Sequence, residues 1–378
     1  WNVDLSYTTG GNTQTYKVNQ SHNRNVVYSP STWVDLNGDG QVNTTEYDAN
    51  NDTVIDPGEG IEITQGSQLY RENSPQSFDP GGTRFTHNVG NIDLSRILSD
   101  KVSIGVGAEF RNETFEVIEG ILSSYDGGGA DSFAGNSPEN SGKFNRYNIG
   151  GYFSLDYDVS DAFLVSGTIR AEDYSDFGSA FVYKLSSRLK LSDKLTARGS
   201  LSTGFRAPTL HQIYTQKAQY SFVPGQGIQV GGLVNNVSTQ AKLLGIKELD
   251  AETSSNFTVG LGGKLTNNLS FTVDYYNIKV KDRIVLGSEI GGTAFDNNLS
   301  DISFFSNAID TKTSGIDEVL TQNNIQIGEG ELDLNLSGNY TIQNERDGAV
   351  KDIPLVADSG QSVVNDTQEA LFFTSRPV

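Results

Sequence analysis

Apolar and polar residues alternate with a period of two along most of the chain. In RYNIGGYFSLDYDV, residues 146–159, Tyr147, Ile149, Gly151, Phe153, Leu155, Tyr157 and Val159 are apolar or small and interleave with Arg146, Asn148, Ser154, Asp156 and Asp158. Successive side chains of a strand point to opposite faces, so this pattern predicts a strand with one apolar and one charged face. The same parity recurs in Val102, Ile104, Val106, Ala108 and Phe110 against Ser103, Glu109 and Arg111. It returns in Leu195, Ala197, Leu201 and Phe205 against Lys194, Thr196, Arg198 and Ser200, and in Phe257, Val259, Leu261 and Leu265 against Thr258 and Lys264. Leu269, Phe271, Val273 and Tyr275 alternate too, after which the apolar phase moves to Tyr276, Ile278 and Val280. An inserted residue at a bulge is expected there.

Roughly thirteen such segments are expected, many about 10–14 residues long, against a usual length of about 5–6 in soluble sheets. The segments TGGN, LSDK, VSD, SDK and TNN read as tight turns, whereas residues 118–144, 206–252 and 285–305 read as long connections. Long antiparallel strands whose short turns alternate with long loops predict an all-β, antiparallel transmembrane β-barrel with long extracellular loops. Tyr7, Tyr157, Phe163, Phe205 and Tyr275 fall near strand ends, as an aromatic rim requires. A soluble β-sandwich or solenoid has the same parity, with its apolar face turned to a second sheet, and parity alone leaves that alternative open. The segments share no fixed period, so no solenoid repeat is visible.

Composition narrows the function classes. No apolar run approaches the length of a membrane helix, whereas a barrel wall needs apolar residues only at alternate positions, so a mean hydropathy of −0.39 suits water and bilayer alike. A formal net charge of −20 argues against nucleic acid as a partner, because that affinity comes from Lys and Arg neutralising phosphates. Without cysteine there is neither a disulfide nor a thiolate site. The chain opens at Trp1, inside a strand pattern, and is expected to be an internal segment of a longer protein. No nucleophile elbow or phosphate-binding glycine loop occurs, and His22, His87 and His211 lack metal-ligand spacing, so no enzyme activity is expected.

One stretch breaks the alternation. VDLNGDGQVNTTEYDANNDTVIDPGEG, residues 34–60, contains Asp35, Asn37, Asp39, Gly40 and Glu46 in the D-x-[DN]-x-[DN]-G-x5-E spacing of a calcium loop, with the Gln41 carbonyl at position seven. A second loop offers Asp48, Asn50, Asp52, the Val54 carbonyl, Asp56 and Glu59, with Thr53 where a turn glycine is usual. Only Tyr47 separates the two, which leaves no room for paired EF-hand helices. One or two calcium ions are therefore expected, in tandem loops like those of extracellular proteins. The alternative is a solvated acidic loop, since Asp- and Asn-rich stretches commonly form turns. No Lys or Arg lies between Arg24 and Arg71, which favours the cation.

LSTGFRAPTLHQIY, residues 201–214, resembles the TonB-dependent outer-membrane receptors, in which a strand ending in Gly-Phe-Arg-Ala-Pro opens a large external loop. SPQSFDPGG and NIDLSR (74–96), VGAEFRNETF (106–115), DYSDFGS (173–179), and ELDAETSSNFTVGLGGKL before YYNIKVKDRI (248–284) follow in the order of that family. The resemblance implies part of a 22-stranded barrel closed by a plug that does not lie in this sequence. It also implies import of a scarce nutrient such as a siderophore, vitamin or glycan, driven by the TonB complex acting through the plug. A Gram-negative outer membrane with its lipid and lipopolysaccharide is the implied location, and the calcium loops then fall outside the cell, where a surface partner protein has access to them. Arg206 and His211 lie where the family's ligands approach, although His211 reads equally as a loop-packing residue. Arg170, Glu172, Lys184, Arg188, Lys190 and Arg198 are expected to form charge ladders on the wall. A passive porin and a secreted calcium-dependent adhesin are the rival readings.

Overall fold

The computed structural model describes residues 1–23, 74–126, 129–130, 133–223, 227–291 and 299–374. Eleven strands form one sheet. They are β1 (Asn2–Thr15), β2 (Gly82–Ser99), β3 (Val102–Ile118), β4 (Gly142–Ser160), β5 (Phe163–Tyr174) and β6 (Gly178–Ser192). After these come β7 (Leu195–Arg206), β8 (Glu252–Lys264), β9 (Leu269–Leu286), β10 (Phe305–Ile327) and β11 (Gly330–Arg346). Each pairs antiparallel with its neighbour in sequence, and among the described residues β1 and β11 pair on one side only. A bilayer crossing needs about 9–11 tilted strand residues. The shortest of these strands has 12 residues and β10 has 23, so several extend beyond the apolar zone.

The expected apolar face is present and uncovered. Leu5, Tyr7, Ile149, Phe153, Tyr183, Leu185, Leu201, Phe257, Leu336 and Tyr340 are all exposed. So continuous an apolar surface is unfavourable in water and is what a barrel turns to lipid. The opposite face carries the polar parity and its partners. Arg170 reaches Glu172 at 2.5 Å and Glu109 at 3.6 Å, Asn148 donates to Glu172 at 2.8 Å, and Tyr152 donates to Asp93 at 2.6 Å.

The two ends of the sheet differ. Residues 100–101, 161–162, 193–194, 265–268 and 328–329 turn the chain at one end, as LSDK, VSD, SDK and TNN predict. The connections 16–81, 119–141, 207–251 and 287–304 leave the other end, together with everything after β11. Because a barrel wall sends its side chains to lipid or lumen, the buried core lies at this second end. Ile290, Ile302, Phe304, Ile309, Val356 and Val363 pack together there, with helices α3 (Thr239–Leu243) and α4 (Pro354–Asp358) contributing Ala241 and Val356. No helix among the described residues is long and apolar enough to cross a membrane.

Four expectations need correction. Among the described residues the main sheet has eleven strands against the roughly thirteen segments expected, and the other strands are short pieces such as Lys217–Val223 and Gly227–Leu233 at the loop end. TGGN is not a turn, because β1 runs through it with Gly10 opposite His87 and Gly11 opposite Thr86. A Cβ on Gly10 would lie 3.0 Å from the His87 ring, so this glycine admits an imidazole. The phase change at Tyr276 is not a bulge either, since β8 and β9 stay in register from Lys264–Ser270 to Thr253–Lys281 and the irregularities against β10 lie between Val280 and Ile284. Polarity inverts there because the strand passes beyond the apolar band. Lys279 on the outward side pairs with Asp347 at 3.8 Å, and the Tyr276 hydroxyl on the inward side accepts from Asn339 at 3.1 Å. Finally, the link between β5 and β6 at the loop end is only residues 175–177, so loop length does not alternate strictly.

Candidate functional site

At the loop end, the polar face carries a cavity built around GFRAPTLHQIY. Pro208 follows β7 closely, and a proline has no backbone N–H with which to extend the ladder. Thr209 then caps helix α2 (Leu210–Tyr214) with a capping box: its hydroxyl accepts from the Gln212 N–H at 3.1 Å, and the Gln212 side chain accepts from the Thr209 N–H at 3.0 Å. This turn lays the helix on the inner ends of β3 and β4. Leu210 is buried among Phe115, Val117, Phe85 and Phe144, and Tyr214 stacks on Phe144 at 4.0 Å with the rings 6° from parallel.

Arg146 fixes the helix to the wall. It is only 6% exposed and donates to Glu113 at 2.9 Å and 2.5 Å, and to the Pro208 carbonyl at 2.7 Å. Asp176, in the short link after β5, lies 3.4 Å from the same guanidinium, and the Tyr174 ring sits 5.5 Å from it. One buried cation thus ties β3, β4, the 175–177 link and the large loop together. A cavity of about 400 Å3 opens beside it, bounded by Asn12, Gln14, Phe85, Glu113, Arg146 and His211 among others.

Of the two ligand candidates, His211 lines this cavity and Arg206 does not. His211 stands 5.7 Å from Phe115 and 6.2 Å from Phe305, ring centre to ring centre, with part of its surface still open. Loss of solvent among these rings lowers its pKa, which favours the neutral imidazole. Arg206 instead forms a two-pronged ion pair with Glu252 across the β7–β8 ladder, its Nε at 3.0 Å and its second bond from Nη2. Glu252 is buried and also accepts from the Ile284 N–H at 2.7 Å. The half-buried Arg283 stands nearby, its guanidinium 4.9 Å from the Phe372 ring of helix α5 (Asp366–Thr374) and 3.2 Å from the Thr311 hydroxyl.

Arg146, Glu113, Glu252 and Arg283 were not singled out from sequence. The available signal was a charged residue in the polar phase within a few positions of a strand's loop end, which describes Arg146 and Glu113. Of the expected charge ladder, Arg170, Glu172 and Arg198 have partners, Arg198 pairing with Asp274. Among the described residues Lys184, Arg188 and Lys190 form no ion pair. The candidate calcium ligands Asp35, Asn37, Asp39, Gln41, Glu46, Asp48, Asn50, Asp52, Val54, Asp56 and Glu59 lie outside the described residues. The connection that holds them leaves β1 and enters β2 at the loop end.

A long-stranded antiparallel sheet with one bare apolar face, tight turns at one end and packed loops at the other defines a transmembrane β-barrel wall. The chain belongs to the TonB-dependent receptor-like family: the description "TonB dependent receptor-like, beta-barrel" matches residues 1–369. It is 25% identical over 199 residues to the ferric enterobactin receptor PirA of Pseudomonas aeruginosa, covering 51% of this chain and 25% of the relative. In structure it is similar to the ferric enterobactin receptor PfeA of Pseudomonas aeruginosa, in a double-mutant form, with a TM-score of 0.51 and 17% identity over 74% of this chain and 38% of that one. The siderophore receptor PirA of Pseudomonas aeruginosa gives a TM-score of 0.49 and 19% identity, over 70% and 45% of the two chains. The chain therefore spans less than half the length of these relatives. The family is one of receptors and not of enzymes.

Proposed function

We propose that this chain is the wall of an outer-membrane importer that captures a small, scarce nutrient at its loop end and passes it inward with energy from the TonB complex. A siderophore is the first candidate, with a vitamin or glycan as alternatives. The observation that supports capture is the loop-end cavity, where apolar rings (Phe85, Phe115) stand beside hydrogen-bonding groups (Asn12, Gln14, Arg146, His211). A pocket of this mixed character orients a small molecule by a few polar contacts while apolar surface supplies affinity. The assignment of the similar proteins PirA and PfeA as ferric enterobactin receptors favours the siderophore class. In this reading a plug delivers the energy coupling and no covalent chemistry is done on the cargo.

The 34–60 segment adds a calcium-ordered external loop. Positions one, three, five and twelve of its first repeat supply hard oxygen ligands, and affinities of about 10⁻⁴–10⁻³ M are typical of extracellular modules. The metal would screen the carboxylates and stiffen the loop as part of a ligand lid or a surface for a partner protein.

Uptake of radiolabelled ferric siderophore by cells carrying the full-length protein tests the transport reading. Accumulation that needs both this protein and TonB supports it, and passive entry without TonB would support a porin instead. For the calcium reading, chelation should increase proteolysis within residues 34–60, and unchanged cleavage would remove the claim.

A further inference from the structure

The loop-end cavity offers no free cation. Of the residues that line it, only Glu113 and Arg146 carry a charge, and they are bonded to each other. Arg146 is also committed to the Pro208 carbonyl and to Asp176, so two carboxylates already meet its charge. Glu113, Arg146 and Asp176 together leave one negative charge at this end. Both bonds from Arg146 end on Glu113 Oε2, and Oε1 accepts no hydrogen bond among the described residues. His211 adds no charge, because loss of solvent favours its neutral imidazole. Neighbouring cations are engaged elsewhere. Arg111 pairs with Glu109, Arg84 and Lys143 share the opposite face with Glu116, and Lys217 Nζ lies 3.9 Å from the centre of the Phe133 ring. The uncharged groups, by contrast, are available. Among the described residues the side chains of Asn12, Gln14, Thr83 and His211 make no hydrogen bond. Asn12 and Gln14 are exposed on one face of β1 and pair with Phe85 and Thr83, and Phe85 pairs in turn with Phe115.

We propose that this cavity selects an uncharged ligand dense in hydrogen-bonding groups and discriminates against anionic iron chelates. The inference rests on the reading of the loop-end cavity as the capture site. An anion taken out of water is costly unless a cation meets it, and here it would meet Glu113 Oε1 and Asp176 instead. An uncharged ligand accepts from Asn12, Gln14 and the neutral His211 and donates to Glu113 Oε1, while Phe85 and Phe115 supply apolar contact. A net charge of −20 adds no long-range attraction for an anion. Two kinds of nutrient share this chemistry. One is a ferric trihydroxamate, whose three monoanionic groups cancel the charge of the ferric ion, and the other is a neutral glycan. A ferric tris-catecholate lacks it, since three dianions around the same ion leave a trianion.

Titration calorimetry on the full-length protein in detergent compares three probes: ferrichrome, an uncharged ferric trihydroxamate; maltotriose, a neutral glycan; and ferric enterobactin, the trianion. One of the two uncharged probes should bind about tenfold or more tighter than the trianion, and which of them binds identifies the source. Replacing Asn12 and Gln14 together by Leu should weaken that binding by about tenfold or more. Neither side chain has a hydrogen bond to lose among the described residues, so heat-modifiable migration on a gel should match the wild type. Gln14→Lys supplies the missing cation and should raise the affinity for ferric enterobactin by about tenfold, which tests the charge argument independently of the double variant. Tighter binding of ferric enterobactin than of both uncharged probes by the wild type would overturn the proposal. So would binding of neither uncharged probe, or binding that ignores the substitutions in the folded variants. TonB-dependent uptake of ferric enterobactin by cells would leave the import reading standing and this inference refuted, whereas selective binding of an uncharged probe without TonB-dependent uptake does the reverse.

Discussion

Replacing Arg146 by Met should release helix α2 from the wall without disturbing the strands. The substitution keeps an unbranched apolar stem but removes the two bonds to Glu113 and the one to the Pro208 carbonyl. Hydrogen bonds involving a charged group contribute about 1.5–3 kcal/mol, and removing one partner of a buried ion pair costs about 3–5 kcal/mol. Glu113 borders a cavity that water can enter and retains 14% of its side-chain exposure, so the lower part of that range applies. A cost of about 3 kcal/mol makes local opening roughly a hundredfold more frequent. Hydrogen exchange reads this at the Ile213 and Thr215 amides, which donate to the Thr209 and His211 carbonyls at 3.1 Å and 3.0 Å. Exchange there should rise by about two orders of magnitude, while amides of β6 should not change. Adding Glu113→Gln to Arg146→Met should recover part of the loss by removing the orphaned carboxylate. If Ile213 and Thr215 exchange within about threefold of the wild-type rate, the assignment of Arg146 as the tether is wrong.

Two further outcomes follow from the same helix. His211 has a folded pKa below its ordinary value, so the docked state binds fewer protons than the undocked one, and docking weakens as pH falls below the ordinary histidine range. The Ile213 amide should lose protection at pH 5 relative to pH 7.5 after correction for intrinsic exchange, and His211→Phe should abolish the difference. Leu210→Ala empties a position that is 1% exposed against Phe115 and Val117, which should weaken loop docking by about 2–5 kcal/mol and speed proteolysis within residues 207–251.

The strand residues were readable because one physical rule governs them. Tyr147 through Val159 alternate since one side meets lipid and the other the lumen, and β4 carries that alternation. The rule fails where the environment changes. At Tyr276 the strand leaves the apolar band and the polar side becomes the outer one, which sequence alone renders as a bulge. Gly10 and Gly11 imitate a turn because a glycine pair records a need for space without saying whether a chain reversal or the His87 ring requires it. The cavity was half legible. His211 stood out in GFRAPTLHQIY, but Arg146 and Glu113 meet it only because β3 and β4 pair in register and the loop folds back over them. Arg206 appeared to belong with His211 by proximity in sequence, yet its guanidinium is committed to Glu252, 46 positions away.

Odd positions of β6 face lipid and even positions face the lumen. The chain contains no cysteine, so single cysteines at residues 183, 184, 185 and 186 can each carry a spin label in the full-length protein reconstituted in bilayers. Collision with oxygen, which partitions into lipid, and with a water-soluble nickel complex separates the two environments. Oxygen accessibility should be high at positions 183 and 185 and low at 184 and 186. Equal nickel accessibility at all four positions, or the opposite alternation, would contradict it.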